Sequence, residues 1–172
     1  MKVRKATLSD VETVSRLAIE TFVEKFGHLY STQDLTDYLR LAYSLDAIAE
    51  SLRAPGNVTW LLEDDQGVAC GFALTGDAGL PHVDIEPGDG VIKRLYVDPS
   101  RTGMGLGKIL MDALLADLLK DNPQRTLWLG VYSENVGAQK FYSRYGFTHA
   151  GEYEFPVGET RDREFIFRRK SP

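Results

Sequence analysis

The sequence predicts an α/β domain: one mixed sheet of about six or seven strands with helices on its faces. Three observations carry that expectation. Segments of strand length that alternate or run apolar are interleaved with segments whose apolar residues recur at helical spacing. Two strand–helix units follow one another between Val91 and Tyr145. The 172 residues contain no repeat, low-complexity run or linker, so 1–172 reads as a single domain with room for a sizeable core.

The elements follow in order. VRKATL (Val3–Leu8) alternates and reads as a strand. Ser9 is an N-cap candidate, with Glu12 completing a capping box. Val14, Leu17, Ala18 and Phe22 then recur at helical spacing, and Gly27 stops the helix. Ser31 opens a second helix with the stripe Leu35, Tyr38, Leu39 and Ala42; a third runs from Asp46 to Arg53, before the turn Pro55-Gly56-Asn57. VTWLLE (Val58–Glu63) and GVACGFALTG form a hairpin around Asp64–Gly67. Gly76 to Gly90 is rich in Gly, Pro and Asp and reads as a long, mobile loop. Val91–Val97 is a strand ended by Asp98-Pro99. Leu106, Ile109, Leu110, Ala113 and Leu114 form a helical stripe broken at Asn122-Pro123. Thr126–Tyr132 is an apolar strand, Asn135 to Tyr145 a helix stopped by Gly146, and FTHAGEYEF and RDREFIFRR are closing strands.

Composition excludes several functions. No apolar run is long enough to span a bilayer. The opening MKVRKATLSDVE lacks the apolar core of a secretory signal, so a cytoplasmic location is expected, with no membrane partner. The single cysteine, Cys70, sits in a strand and reads as a packed thiol. His28, His82 and His149 lack ligand spacing, so no metal is expected. The net charge of −5 argues against sequence-independent binding to nucleic acid.

RTGMGLGKIL (Arg101–Leu110) carries the first chemical signal. Its glycines lie between a strand and a helix, at a helix N-terminus. Orphan N–H groups and the positive end of the helix dipole favour an anion there, and glycine lets that anion reach the backbone. A Walker loop fails, because Thr102 stands where a glycine is needed and Ile109 follows Lys108. The dinucleotide fingerprint fails too, because the spacing is Gly103-x-Gly105-x-Gly107. A tight strand-to-helix turn is the plain alternative, but one glycine would suffice for it.

In LWLGVYSENVGAQKFYSRYGF, residues Ala138, Phe141, Tyr142 and Tyr145 share one helix face. Ala138 and Phe141 read as core. Tyr142 differs because a buried phenol needs a hydrogen-bond partner. Asn135 occupies an N-cap position, and capping alone would explain it.

LYVDPSRTGMGLGKIL and LGVYSENVGAQKFYSRYGF together resemble the GCN5-related N-acetyltransferase (GNAT) superfamily, over essentially the whole chain. ETFVEKFG, DLTDYL, IKRLYVDP, WLGVYSEN and EFPVGETRDREFIF look similar to the bacterial polyamine (spermidine/spermine) N-acetyltransferases within it. The resemblance implies the GNAT fold, with splayed central strands, and acetyl-CoA as donor without a metal. It implies a small-molecule amine as acceptor, with a polyamine favoured over a protein N-terminus or lysine. By position, Thr102, Gly103, Met104, Gly105, Leu106, Gly107 and Lys108 would hold the pyrophosphate through main-chain amides. Leu95, Tyr96 and Val97 would hold the pantetheine arm and thioester carbonyl, and Asn135 and Ala138 the cofactor tail. Tyr142 matches the tyrosine that protonates the departing thiolate. Glu20, Phe22, Glu24 and Tyr30 fall where relatives build the acceptor wall. Many proteins of this fold are dimers, which leaves a homodimer open.

Two features depart from the family pattern. Thr102 stands where Arg or Gln is usual, with Arg101 beside it. Val91 and Lys93 stand where relatives can carry the glutamate that relays the amine's proton. Glu20, Glu24, Asp84, Glu86 and Asp89 are the substitutes the sequence offers. The missing carboxylate also keeps a second class open, a non-catalytic CoA-binding sensor, which intact Tyr142 and Asn135 argue against.

Overall fold

The computed structural model describes residues 1–101 and 103–170. The seven strands are β1 (Lys2–Lys5), β2 (Val58–Glu63), β3 (Ala69–Asp77), β4 (Gly90–Val97), β5 (Leu127–Tyr132), β6 (Thr148–Val157) and β7 (Thr160–Arg169). They form one sheet in the order β1-β2-β3-β4-β5-β7-β6. Only β4 and β5 run parallel; every other neighbouring pair is antiparallel. The expected mixed α/β sheet is therefore present.

Five helices cover it: α1 (Val11–Phe26), α2 (Thr32–Tyr43), α3 (Leu45–Arg53), α4 (Leu106–Leu118) and α5 (Val136–Ser143). On one face Leu17 and Phe22 of α1, Tyr38 of α2 and Ile48 of α3 pack on Leu61, Phe72 and Tyr96. On the other face Leu106, Leu110 and Leu114 of α4 pack on Leu62, Ile92, Leu127 and Leu129, with Ala138, Phe141 and Tyr142 of α5 against them. Strand alternation divides β4 between these layers, Tyr96 to the first and Leu95 and Val97 to the second.

One start signal is displaced. The Asp10 carboxylate accepts from the Thr7 N–H at 2.8 Å, so the capping pair is Thr7–Asp10 rather than Ser9–Glu12. Asp10 also takes both guanidinium nitrogens of Arg4 at 2.8 Å, a contact across elements that decides between two equivalent sequence patterns. The first strand accordingly ends at Lys5, and Leu8 lies in a 3₁₀ turn. Ser31 caps α2 as expected, accepting from the Asp34 N–H. The long loop after β3 is tied down along its length: the His82 ring packs 4.8 Å from that of Trp128, Asp84 pairs with Arg168 at 2.8 Å, and Asp89 accepts from the Trp128 indole at 2.7 Å. Cys70 is fully buried, a packed thiol.

The feature that builds the site lies between β4 and β5. Their pairing is confined to Gly90–Leu127, Val91–Trp128 and Ile92–Leu129. At the next residue β4 carries a bulge: Leu74 pairs Arg94 while Thr75 pairs Ile92, leaving Lys93 extra. A bulge bends its strand and increases its twist. Beyond it β4 stays on β3 and leaves β5, so the expected splay is present and one edge of Lys93–Val97 is open.

Candidate active site at the splayed strands

A cleft of about 1010 Å³ passes through this opening. It reaches both layers of the protein. On the α4–α5 side it is lined by Gly107, Asn135, Ala138, Phe141 and Tyr142. On the α1–α2 side it is lined by Phe22, Glu24, Tyr30, Tyr38 and Arg94, and by Tyr153, Asp162 and Glu164 from β6 and β7. Leu95, Tyr96 and Val97 line it along the open edge of β4.

The glycine loop stands at the start of α4. Gly103 and Gly105 have φ of +85° and +75°, a conformation that L side chains rarely adopt, and nothing lies within 4 Å of where a Cβ on either would be. The Leu106 side chain is buried, so only its main chain can face a ligand. The Met104 side chain is 62% exposed. Lys108 turns its ammonium along the helix to Asp112, 2.6 Å away. Arg101 is drawn off by Asp64 at 2.8 Å. Thr102 lies outside the described residues.

Asn135 caps α5, accepting from the Ala138 N–H at 3.3 Å, and also lines the cleft. The Tyr142 ring packs edge-on against Phe147 and Phe141. Among the described residues no group hydrogen-bonds its hydroxyl. Burial pushes that phenol up to about 12, and the charge of Glu164 adds to the shift.

Three of the four residues expected at the acceptor wall line the cleft. Phe22, Glu24 and Tyr30 line the cleft, and the Tyr30 hydroxyl donates to Asp162. Glu20 does not line it. It pairs with Arg16 one turn back at 2.8 Å, on the exposed face of α1. Of the substitute bases, Asp84 is held by Arg168 at 2.8 Å and Asp89 by Trp128, and neither lines the cleft. Glu86 does not line it either; its N–H donates to Asp89 in the loop after β3. Glu24 alone of the five is in place.

Sequence reasoning missed Glu164. It sits on β7 opposite Tyr132 of β5, and its Oε2 accepts from the Tyr153 hydroxyl at 2.5 Å. A Cβ on Gly130 would stand 2.6 Å from that oxygen and 2.7 Å from the phenol, so the bare backbone of β5 makes room for the pair. Burial raises the Glu164 carboxyl above its ordinary value, with the Tyr153 hydrogen bond opposing. A glycine inside the apolar run LWLGVY was the available signal, since an isolated glycine in a strand marks a close approach. Arg94 was missed as well. Its guanidinium lies 4.7 Å over the Tyr43 ring, and among the described residues no carboxylate pairs with it.

The sequence pattern of the Acetyltransferase (GNAT) family matches residues 16–147, most of the chain and all of the splayed unit. The chain belongs to the GNAT acetyltransferase family. It is an acetyl-CoA-dependent N-acetyltransferase of the GNAT kind. An uncharacterised N-acetyltransferase from the pepI 3′ region of Lactobacillus delbrueckii subsp. lactis is 27% identical to this GNAT chain over 169 residues, covering 98% of it and 96% of the relative. The spermine/spermidine N(1)-acetyltransferase of Bacillus subtilis (strain 168) is 30% identical over 90 residues, 52% of this chain and 59% of the relative. The crystal structure of the PaiA N-acetyltransferase from Thermoplasma acidophilum, in complex with coenzyme A, superposes with a TM-score of 0.76 at 22% identity, covering 98% of each chain. Among the described residues of this GNAT protein no helix is long and apolar enough to cross a membrane, and no group of three or more His, Cys, Asp or Glu could hold a metal.

Proposed function

We propose that this acetyltransferase moves the acetyl group directly to the primary amine of a small molecule, with donor and acceptor bound together. The observation that carries the reading is the single cleft through the β4–β5 splay, which opens to the glycine loop side and to an aromatic, charged wall on the other. The residues fit a CoA thioester. A Cβ at Gly103 or Gly105 would meet nothing within 4 Å, so a pyrophosphate could approach the main chain of Gly103–Lys108 there, where the N–H groups of Met104 and Lys108 already donate to the carbonyls of Arg101 and Gly105. The free edge of β4 over Leu95–Val97 offers main-chain partners to an extended, amide-bearing arm, with Asn135 and Ala138 facing it from α5. When bound, acetyl-CoA supplies the thioester that the amine attacks.

The chain's own groups divide the remaining work. A main-chain N–H near Val97 polarises the carbonyl as charge develops on its oxygen. Tyr142 acts as general acid toward the leaving sulfur. A phenol held near 12 remains protonated at neutral pH, and with no acceptor for its proton among the described residues it is free to donate outward.

The acceptor lies on the α1–α2 side, against Phe22, Glu24 and Tyr30. A polyamine is the finer reading. Glu24, Asp162 and Glu164 give the wall three carboxylates, and a relative named for spermine and spermidine aligns with about half of this chain at 30% identity. Arg94 favours a second reading, an amine that also carries a carboxylate, because its guanidinium lines the same cleft without an acidic partner among the described residues.

The test is calorimetric titration with acetyl-CoA, followed by thiol release with spermidine, spermine, free amino acids and lysine-containing peptides. Release with the polyamines supports the first reading. Release with amino acids, lost in Arg94→Leu, supports the second. Binding without release on every amine would replace catalysis with a CoA sensor.

A further inference from the structure

We propose that Glu164, on β7, is the carboxylate that takes the proton from the acceptor's ammonium group. The inference rests on the acetyltransferase reading above and supplies the base that Val91 and Lys93 cannot.

A lysine-like ammonium has a pKa of about 10.4, so at pH 7 only about one amine in a few thousand is neutral. A base within the cleft must therefore receive a proton. Three carboxylates line the cleft. Glu24 is on the solvent-facing side of α1. Asp162 and Glu164 each accept from one phenol, that of Tyr30 and that of Tyr153, but Glu164 is the one set against the bare backbone of Gly130 on β5. It lines the same cleft as Tyr142, the proposed acid, and Tyr96 of the open strand edge.

Its setting suits a base. Among the described residues no lysine or arginine pairs with it, so its charge is not spent on an internal cation. The Tyr153 hydroxyl fixes Oε2 at 2.5 Å, leaving Oε1 for a ligand. Gly130 admits the pair by lacking a Cβ that would stand 2.6 Å from Oε2. The titratable groups around it are Tyr153 of β6, Tyr132 opposite it on β5, Asp162 of its own strand, and Tyr142 of α5 and Tyr96 of β4, which line the same cleft. The phenols stay neutral near pH 7, and burial with the Asp162 charge raises the carboxyl, which brings it closer to the working range of a general base.

The ammonium gives one proton to Glu164, and the freed lone pair forms the N–C bond as the C–S bond breaks with its electrons moving to sulfur. Tyr142 gives the sulfur a proton and recovers one from the new amide nitrogen. Glu164 then releases its proton to solvent, so one ammonium and one thioester yield one amide, one thiol and one proton. Tyr153 is a positioning residue that acts through Glu164.

The experiment compares the wild-type protein with Glu164→Gln and Tyr153→Phe by thiol release from acetyl-CoA, using whichever amine of the panel the wild type accepts, across pH 6 to 10. Glu164→Gln is expected to lower kcat/KM by about 100-fold or more at pH 7 and to regain about tenfold per pH unit, as unaided amine deprotonation takes over. Its acetyl-CoA affinity by calorimetry should match the wild type. Tyr153→Phe removes a hydrogen bond that holds the carboxyl down, so its acid limb should move to higher pH. An unchanged rate in Glu164→Gln, or a lowered rate with the wild-type pH profile, overturns the assignment, as does an unmoved acid limb in Tyr153→Phe if Glu164→Gln fails to bind acetyl-CoA. Absence of thiol release by the wild type on every amine would overturn the acetyltransferase reading itself and this assignment with it.

Discussion

Oε2 of Glu164 lies 2.6 Å from the point a Cβ on Gly130 would occupy, so the two residues on neighbouring strands are sterically exclusive of any larger pair. Gly130→Ala must push the carboxylate, the Tyr153 ring or both. The backbone itself is not strained by alanine, because the glycines with positive φ do not include Gly130. The expected result is a folded protein destabilised by about 1–3 kcal/mol through overpacking. Its thiol release should fall by about tenfold or more, with acetyl-CoA affinity less affected. Thermal melts and steady-state kinetics on one preparation check this. Wild-type turnover in a protein that melts normally would mean that the place of the carboxylate does not matter.

Tyr142→Phe removes the hydroxyl and keeps the ring contacts with Phe141 and Phe147. Among the described residues that hydroxyl supports no other group, so little stability is at stake. Turnover should drop by about 100-fold while calorimetric affinity for acetyl-CoA stays within about twofold, since a lost transition-state contact lowers kcat rather than binding. Equal turnover would remove Tyr142 from the mechanism.

Gly105 and Gly67 provide a matched pair for the loop. Both have similar φ, +75° and +78°, and neither has an atom within 4 Å of an added Cβ. Alanine at either should cost about 1–2 kcal/mol, the left-handed penalty for an L residue. Only Gly105 stands at the start of α4, where a Cβ would crowd a phosphate. Gly105→Ala should therefore weaken acetyl-CoA binding by about tenfold beyond anything seen in Gly67→Ala, and Gly105→Val by more. Equal affinities in the two alanine variants would reduce the loop to a turn.

What the sequence could not reveal follows from what these contacts are made of. The glycine loop and the α5 segment were legible because each is a contiguous pattern whose chemistry depends on neighbours in the chain. The splay was expected from resemblance; its physical mark, the bulge at Lys93, depends on how β3 and β4 register and leaves no local signature. Glu164 escaped because alternation assigns it to a face of β7 without saying which cleft that face meets. That depends on β5 pairing with β7 and on Tyr153 arriving from β6. Glu20 lies outside the cleft although it sits one turn before Glu24 on α1; its ion pair with Arg16 one turn back holds it along the helix, a partner that helical spacing alone did not single out. The Thr7–Asp10 cap prevailed over Ser9–Glu12 through Arg4, again a partner from another element.

Asp10 and Glu164 predict opposite pH dependences of stability. The Arg4 guanidinium holds the Asp10 carboxyl well below the usual carboxylate range. A depressed folded pKa means the unfolded chain binds more protons, so the stabilisation is present above about pH 4 and is lost as pH falls through the carboxylate range. Asp10→Asn should cost about 2 kcal/mol at pH 7, and the difference from wild type should shrink on acidification. Glu164 has the reverse sign. Its folded pKa is raised by burial, so the folded state resists ionisation and loses stability as pH rises through the folded value. Glu164→Gln keeps an acceptor for the Tyr153 hydroxyl without the buried charge. It should unfold at higher denaturant concentration than wild type at pH 8, with the two midpoints converging toward about pH 4. Urea midpoints at pH 4, 6 and 8 read both residues at once. If Glu164→Gln is less stable at pH 8 and the gap does not close on acidification, the carboxylate serves the fold. A gain in stability joined to a loss of turnover is what a carboxylate kept for chemistry would give.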